Sequence, residues 1–132
     1  MSQVRVTQSI NATADAVWAT VGQPENISQW HPAIAASPRD GDVRRCVLAN
    51  GAELVEEVLE QNDHERFYRY AITDSPLPVK DYRARISVSQ QGSSCTLCWE
   101  ATFEPLAPAA EVEAMIEGVM QAGIESVRES FA

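Results

Sequence analysis

The feature that most limits what this chain can fold into lies near its C-terminal end. From Ala109 to Phe131, apolar residues recur at Val112, Met115, Ile116, Val119, Met120, Gly123, Ile124, Val127 and Phe131. Spacings of three and four place them in one stripe along a single helix. At 1.5 Å per residue such a helix is roughly 30 Å long. It therefore crosses a whole small domain and needs an apolar face of equal length to cover. No other segment is a long helix, so that face has to be a sheet.

The upstream texture supplies one. Gln3 to Ile10 alternates, with Val4, Val6 and Ile10 on one parity, as a half-buried strand does. Ala14 to Val21 follows at helical spacing, with Thr13 placed as N-cap, Asp15 in the first turn and Gly22 as the stop. Pro24 opens a second, very short helix through Gln29. Trp30-His31-Pro32 then makes a rigid bend. Beyond it the pattern predicts strands over Ile34–Arg39, Val43–Ala49, Glu53–Gln61, Arg66–Thr73, Lys80–Gln90 and Cys95–Glu104. They are punctuated by Asp40-Gly41-Asp42, Asn50-Gly51, Asn62-Asp63-His64, a proline loop at Asp74–Pro78, and Gln91–Ser94. The expectation is one α+β domain over residues 1–132: a curved antiparallel sheet of about seven strands, two short helices after the first strand, and the long C-terminal helix over the concave face.

The formal charge of −9 argues against nucleic acid and against anionic membranes, both of which select basic surfaces. No apolar run approaches the roughly 20 residues of a membrane span, and Met1 to Val6 carries no apolar signal core, so no membrane insertion and a cytoplasmic location are expected. Three cysteines form no disulfide framework. Cys95-x-x-Cys98 invites a metal or redox reading, but strand residues three apart point to opposite faces, and no second Cys or His pair completes a zinc site. No metal and no cofactor are expected. Asn11-Ala12-Thr13 fits a glycosylation sequon without any sign of secretion.

The order of elements, together with Ser9–Trp18, Trp30-His31-Pro32, Asn50-Gly51 to Glu56, Tyr68 to Tyr70, Pro76-Leu77-Pro78 to Tyr82, and Trp99–Phe103, resembles the helix-grip superfamily. That group takes in START-related and birch-pollen-allergen-like ligand-binding proteins, and the likeness here is to the small polyketide cyclase/dehydrase-like branch. The resemblance implies a helix-grip fold with a cavity between sheet and long helix. It implies no single activity, since members include cyclases, lipid carriers, hormone receptors and co-chaperones. In the related abscisic acid receptors the loop at the place of Ser75–Asp81 helps close the cavity. Here Pro76 and Pro78 either pre-set such a closure or protect a strand edge. At Ala49-Asn50-Gly51 a tight hairpin stands where the receptors carry a gate.

Alternation assigns the faces. Leu54, Glu56 and Val58 share one, as do Tyr68, Tyr70 and Ile72; so do Tyr82, Ala84, Ile86 and Val88, and Leu97, Trp99, Ala101 and Phe103. Glu56 then falls inward among apolar neighbours, where a carboxylate must be protonated, paired or wet; a register slip of one would put Glu57 there instead. Glu56 is the candidate general acid or base, and with the hydroxyls of Tyr70 and Tyr82 it forms the few polar anchors of an apolar pocket. Ligand contacts are further expected from Trp30, His31, Leu54, Val58, Tyr68, Ile72, Leu77, Trp99, Ala101, Ile116, Met120 and Gly123. Trp30 either lines the cavity mouth or plugs the core. His31 is a proton carrier or a structural group. Gly123 makes room for ligand or for close packing of the helix.

Three function classes follow. The first is binding or transport of a small hydrophobic ligand that is lipid-, aromatic- or polyketide-like, by a monomer or homodimer. The second is a cyclase/dehydratase-type enzyme using Glu56. The third is a co-chaperone-like interaction module, which needs an exposed apolar patch. The absence of an evident His/Asp or Arg/Asp pair on the inward strands favours the first over the second.

Overall fold

The computed structural model describes all residues, Met1–Ala132. Its elements run β1 (Ser2–Ile10), α1 (Ala14–Val21), a 3-10 turn (Pro24–Asn26), α2 (Ile27–Trp30), β2 (Ile34–Ala36), β3 (Arg39–Asp40), β4 (Val43–Leu48), β5 (Glu53–Asn62), β6 (Phe67–Asp74), β7 (Val79–Gln91), β8 (Ser94–Pro105) and α3 (Ala109–Ser130). The strands form one antiparallel sheet in the order β1-β8-β7-β6-β5-β4-β2, with β3 paired to β4. This is the expected helix-grip α+β fold. The segment read as one strand over Ile34–Arg39 is instead two short strands, separated by Ser37-Pro38; Ser37 turns inward and bonds the Glu25 carbonyl at 2.6 Å.

Local chemistry accounts for the boundaries. Thr13 caps α1, its Oγ1 accepting from the Ala16 amide at 3.2 Å, and the Gln90 side chain accepts from the Ala14 amide at 2.7 Å. Gly22 ends α1 in ordinary right-handed backbone; a Cβ there would sit 2.5 Å from the Trp18 ring, so the glycine makes space rather than a turn. The β4–β5 hairpin turns through Ala49-Asn50-Gly51, with Gly51 at φ +89.

Helix α3 lies along β1 and β8, and Ser2 Oγ donates to Glu113 Oε2 at 2.6 Å. Its buried stripe is Val112, Ile116, Met120, Gly123, Ile124 and Val127. Met115 and Val119, counted into the stripe from their spacing, sit on its margin and are each 43% exposed, because the helix covers the sheet along one edge rather than end to end. No helix is long and apolar enough to cross a membrane.

Two irregularities shape the concave face. The β5–β6 pairing shifts twice, with Thr73 as the extra residue on β6 opposite Val55–Glu56 and Leu59 as the extra residue on β5 between Val58 and Glu60, bending the sheet. Strand β7 shifts register on β8 between Lys80 and Arg83, where Asp81 takes φ +53. The pairing of β6 with β7 ends at Ala71 and Arg83. Beyond that point the strands part, and the Ser75–Pro78 loop spans the gap, closed by the Leu106 amide donating to the Pro78 carbonyl at 2.8 Å.

Candidate functional site

Strand β5 does present Glu56 inward, 4% exposed, and Glu57 outward. What resolves the buried carboxylate is a residue the strand pattern did not single out. Arg44, on β4 directly opposite Glu56, is fully buried, and its Nε donates to Glu56 Oε1 at 2.8 Å. Nη2 lies 2.8 Å from the same oxygen but out of line for a hydrogen bond, and it finds no other partner. Nη1 donates to the Pro24 carbonyl at 2.8 Å and to the Tyr68 hydroxyl at 3.2 Å. The guanidinium also stacks over Tyr70, 4.7 Å from the ring centroid. Burial works against its charge, but Tyr68, Glu56, Cys46 and Tyr70 outweigh burial and hold its pKa well above the ordinary value.

The inward strands therefore do carry an acid–base pair, contrary to the expectation. The guanidinium meets the carboxylate side-on, through Nε and Nη2, and both face a single oxygen. Glu56 Oε1 receives Arg44 and also Cys46 Sγ at 3.1 Å, whereas Oε2 receives no hydrogen bond from another protein group. A bidentate pair would have engaged both oxygens.

Beside the carboxylate lies a cavity of about 110 Å³ between sheet and helix. Of the expected ligand contacts, the structure brings ten to its wall: His31; Leu54 and Glu56 of β5; Tyr70 and Ile72 of β6; Leu77 of the proline loop; Tyr82 of β7; Trp99 of β8; and Ile116 and Met120 of α3. The wall also contains Ile27, Ala33, Ile34, Cys46, Leu48 and Val119, none of which the strand parities singled out. Cys46 and Leu48 share the parity of Arg44, so facing β4 against β5 would have found all three.

The other five expected contacts lie off the wall. Tyr68 packs deeper, 5.9 Å from the Tyr70 ring and 6.5 Å from Trp18. Val58 and Ala101 are buried away from the cavity. Trp30 plugs the core edge-on to Trp99 at 5.7 Å, its indole N–H buried without a partner. Gly123 serves close packing: a Cβ there would lie 2.6 Å from His31 Cδ2 and 2.9 Å from Trp30 Cζ3.

His31 is structural. Its Nε2 donates to the Val119 carbonyl of α3 at 2.8 Å, and its Nδ1 accepts from the Ala33 amide at 3.1 Å. Both nitrogens are thus used by the neutral ring, and burial holds its pKa below the ordinary value against the Val119 bond. Trp99 Nε1 donates to the Tyr70 hydroxyl at 3.1 Å. Burial raises the pKa of Tyr70 and Tyr82, with the Glu56 charge adding to it, so both remain neutral phenols.

A larger depression of about 470 Å³ opens on the other side of the sheet where β6 and β7 part. It shares Ile72 and Tyr82 with the cavity, but is lined mainly by solvated groups such as Thr73, Asp74, Lys80 and Asp81. Apart from Tyr82 its polar groups are solvated, so the cavity between sheet and α3 is the candidate site. Cys95 is buried with the inward side chains, while Cys98 Sγ accepts from Arg5 Nε at 3.4 Å. No group of three His, Cys, Asp or Glu side chains is arranged to hold a metal ion.

Comparison with known proteins fits this geometry. Residues 1–132 match the family described as "Polyketide cyclase / dehydrase and lipid transport". Among solved structures, XoxI from Bacillus cereus superposes with a TM-score of 0.97 at 26% identity, over 99% of this chain and 96% of that one. A protein from Thermobifida fusca gives 0.87 at 30% identity, over 99% and 93%. The di-domain ARO/CYC BexL from the BE-7585A biosynthetic pathway gives 0.82 at 15% identity, over 98% of this chain and 46% of that one, a likeness of fold alone. Among curated proteins, none matches the sequence.

Proposed function

This chain belongs to the polyketide cyclase/dehydrase and lipid transport family, and from that premise we propose that it binds a small, predominantly apolar molecule in the cavity between the sheet and α3. The observation that carries this reading is the cavity itself. A space of about 110 Å³ is walled by Ile34, Leu48, Leu54, Ile72, Trp99 and Met120, and one carboxylate borders it. Ligand pockets for drug-sized molecules usually run to about 300–1,000 Å³. A whole polyketide or lipid therefore does not fit the closed form, whereas a molecule the size of one ring does. Larger ligands require the Leu77 loop or the Val119 margin of α3 to yield.

A second reading, a cyclase- or dehydratase-type enzyme, draws on one observation. Glu56 keeps an oxygen without a hydrogen bond, on the same wall as the hydroxyls of Tyr70 and Tyr82. There it would act as a proton acceptor on a substrate held in place by the cavity. The interaction-module reading has less support, because the exposed large apolar side chains are scattered; only Met115 and Val119 adjoin, one turn apart on α3.

Native mass spectrometry of the purified protein, together with a benzene titration followed at Trp99 and Tyr82, tests the binding reading. A co-purified small molecule, or saturable shifts at those residues, is expected. An empty protein with no saturable response overturns it. Turnover of a polyketide-like substrate that vanishes in Glu56→Gln while binding persists would favour the enzyme.

A further inference from the structure

We infer that the ligand this cavity selects is a neutral hydrogen-bond donor of about ring size, a phenol or similar hydroxyl-bearing molecule, seated with its O–H on Glu56 Oε2. The inference rests on the cavity-binding reading above and adds the chemistry of the ligand to it.

Only one part of the buried ion pair is open to a ligand. Arg44 lies behind Glu56: it is fully buried, it is held by Pro24 and Tyr68, and it contributes nothing to the cavity wall. Glu56 does line the wall, and its Oε1 is already taken by Arg44 and Cys46. The ligand thus meets Oε2, an oxygen that takes no hydrogen bond from another protein group, on a side chain only 4% exposed. A carboxylate in an ion pair only accepts, so the complementary group is a donor. Hydrogen bonds from O–H to a carboxylate are among the short, strong ones.

Charge then narrows the class. Arg44 and Glu56 together sum to zero, so a cationic ligand leaves one uncompensated charge in an apolar enclosure. An anionic ligand brings no donor and meets Oε2 with like charge. A neutral donor does neither. Size narrows it again. The cavity of about 110 Å³ lies between the roughly 30 Å³ share of one water and an engineered apolar cavity of about 150 Å³ that takes benzene. A bare ring is thus already about the limit, and a ring with one small substituent needs the Leu77 loop or the Val119 margin to give slightly.

Titration of the native protein with phenol, toluene, benzylamine and benzoate tests this, with dissociation constants read from Trp99 fluorescence and from amide shifts around the cavity. Phenol and toluene are nearly the same size, so the pair isolates the hydroxyl. A hydrogen bond to a charged acceptor corresponds to about 10- to 100-fold in affinity; phenol is expected to bind at least about tenfold tighter than toluene, and tighter than the amine or the acid. Toluene binding as tightly as phenol overturns the inference and leaves the cavity reading standing. Failure of all four to bind overturns both. The double variant Arg44→Met/Glu56→Leu removes the acceptor without stranding its partner, and in it the order should reverse in favour of toluene. A preference for phenol that survives in the folded double variant also overturns the seat on Glu56. Should that variant not fold, the comparison on the native protein still decides.

Discussion

Removing one member of the Arg44–Glu56 pair should be far more damaging than removing both. In Glu56→Leu the guanidinium of Arg44 stays fully buried with no counter-charge, 0% exposed and still bonded to Pro24 and Tyr68. An uncompensated buried charge of this kind costs about 3–5 kcal/mol. Against a total stability of about 5–15 kcal/mol for a domain, that is about a fifth of the whole at the least. At about 3–5 °C per kcal/mol for a chain of this size, the melting midpoint should fall by roughly 10–20 °C. Arg44→Met should cost a similar amount. It strands the carboxylate and also deprives the Pro24 carbonyl and the buried Tyr68 hydroxyl of their donor. In Arg44→Met/Glu56→Leu the charges go together, and only the neutral Pro24, Tyr68 and Cys46 groups are left short, about 1–3 kcal/mol in all. Urea unfolding of the four proteins at pH 7, with slopes compared so that changes in midpoint can be read as stability, closes the cycle. The expected coupling is at least about 2 kcal/mol. Single variants that each lose less than about 1 kcal/mol, or losses that add to within about 0.5 kcal/mol, would refute the claim that the two charges depend on each other.

The two glycines of α3 should respond oppositely to alanine: Gly118 faces solvent with nothing within 4 Å of an added Cβ, so Gly118→Ala should stabilise by up to about 1 kcal/mol. Gly123→Ala should destabilise by about 1–3 kcal/mol, since its Cβ would collide with His31 and Trp30; equal midpoints in a thermal melt would contradict the close-packing role. Burial depresses the His31 pKa from its ordinary 6.5, so below that value the unfolded chain takes up a proton that the folded chain resists. Stability from this group is therefore complete above about pH 6.5 and is lost as pH falls below it, and a urea midpoint that stays flat from pH 7 to 5.5 would count against it. Cys46 is a buried thiol on the cavity wall, and burial raises its pKa; it should react with a disulfide reagent only on unfolding, and rapid labelling of Cys46 in the native protein would show the cavity side to be open.

What the sequence made legible follows from periodicity. The stripe of α3, the alternation of β1 and β5–β8 and the Thr13 cap all act over one or two turns of chain, and the structure repeats them nearly residue for residue. What it hid was register. A two-residue turn at Asn50-Gly51 would set Arg44 opposite Glu57, on the outer face. The actual turn holds Ala49 as well, and Arg44 falls opposite Glu56. One residue of loop length decides whether the chain buries an ion pair or a lone carboxylate. The bulges at Leu59 of β5 and Thr73 of β6 were hidden for the same reason, since no residue type marks them. Gly123 was ambiguous because its reason lies on the Trp30-His31 bend, about ninety residues away in the chain.

The interior does two things that stability alone does not favour. It keeps a cavity of about 110 Å³ where side chains could pack, which at about 24 cal/mol per Å³ forgoes roughly 2–3 kcal/mol of packing. Next to that space it keeps an ion pair whose second carboxylate oxygen has no hydrogen bond, although apolar replacements of buried pairs are often neutral or stabilising. Both departures meet at Glu56, and one event offsets both. A ligand that fills the space restores the packing contacts, and a donor on Oε2 completes the carboxylate. At a concentration one hundred times its dissociation constant, such a ligand adds about 2.7 kcal/mol to the folded state, about the size of the packing term. At about 3–5 °C per kcal/mol that is a rise of roughly 8–13 °C in the melting midpoint. A phenol that binds and a toluene that binds should therefore separate in thermal shift by their affinities alone. If the cavity and the free oxygen were unrelated accidents of packing, nothing would tie the size of that shift to the hydroxyl.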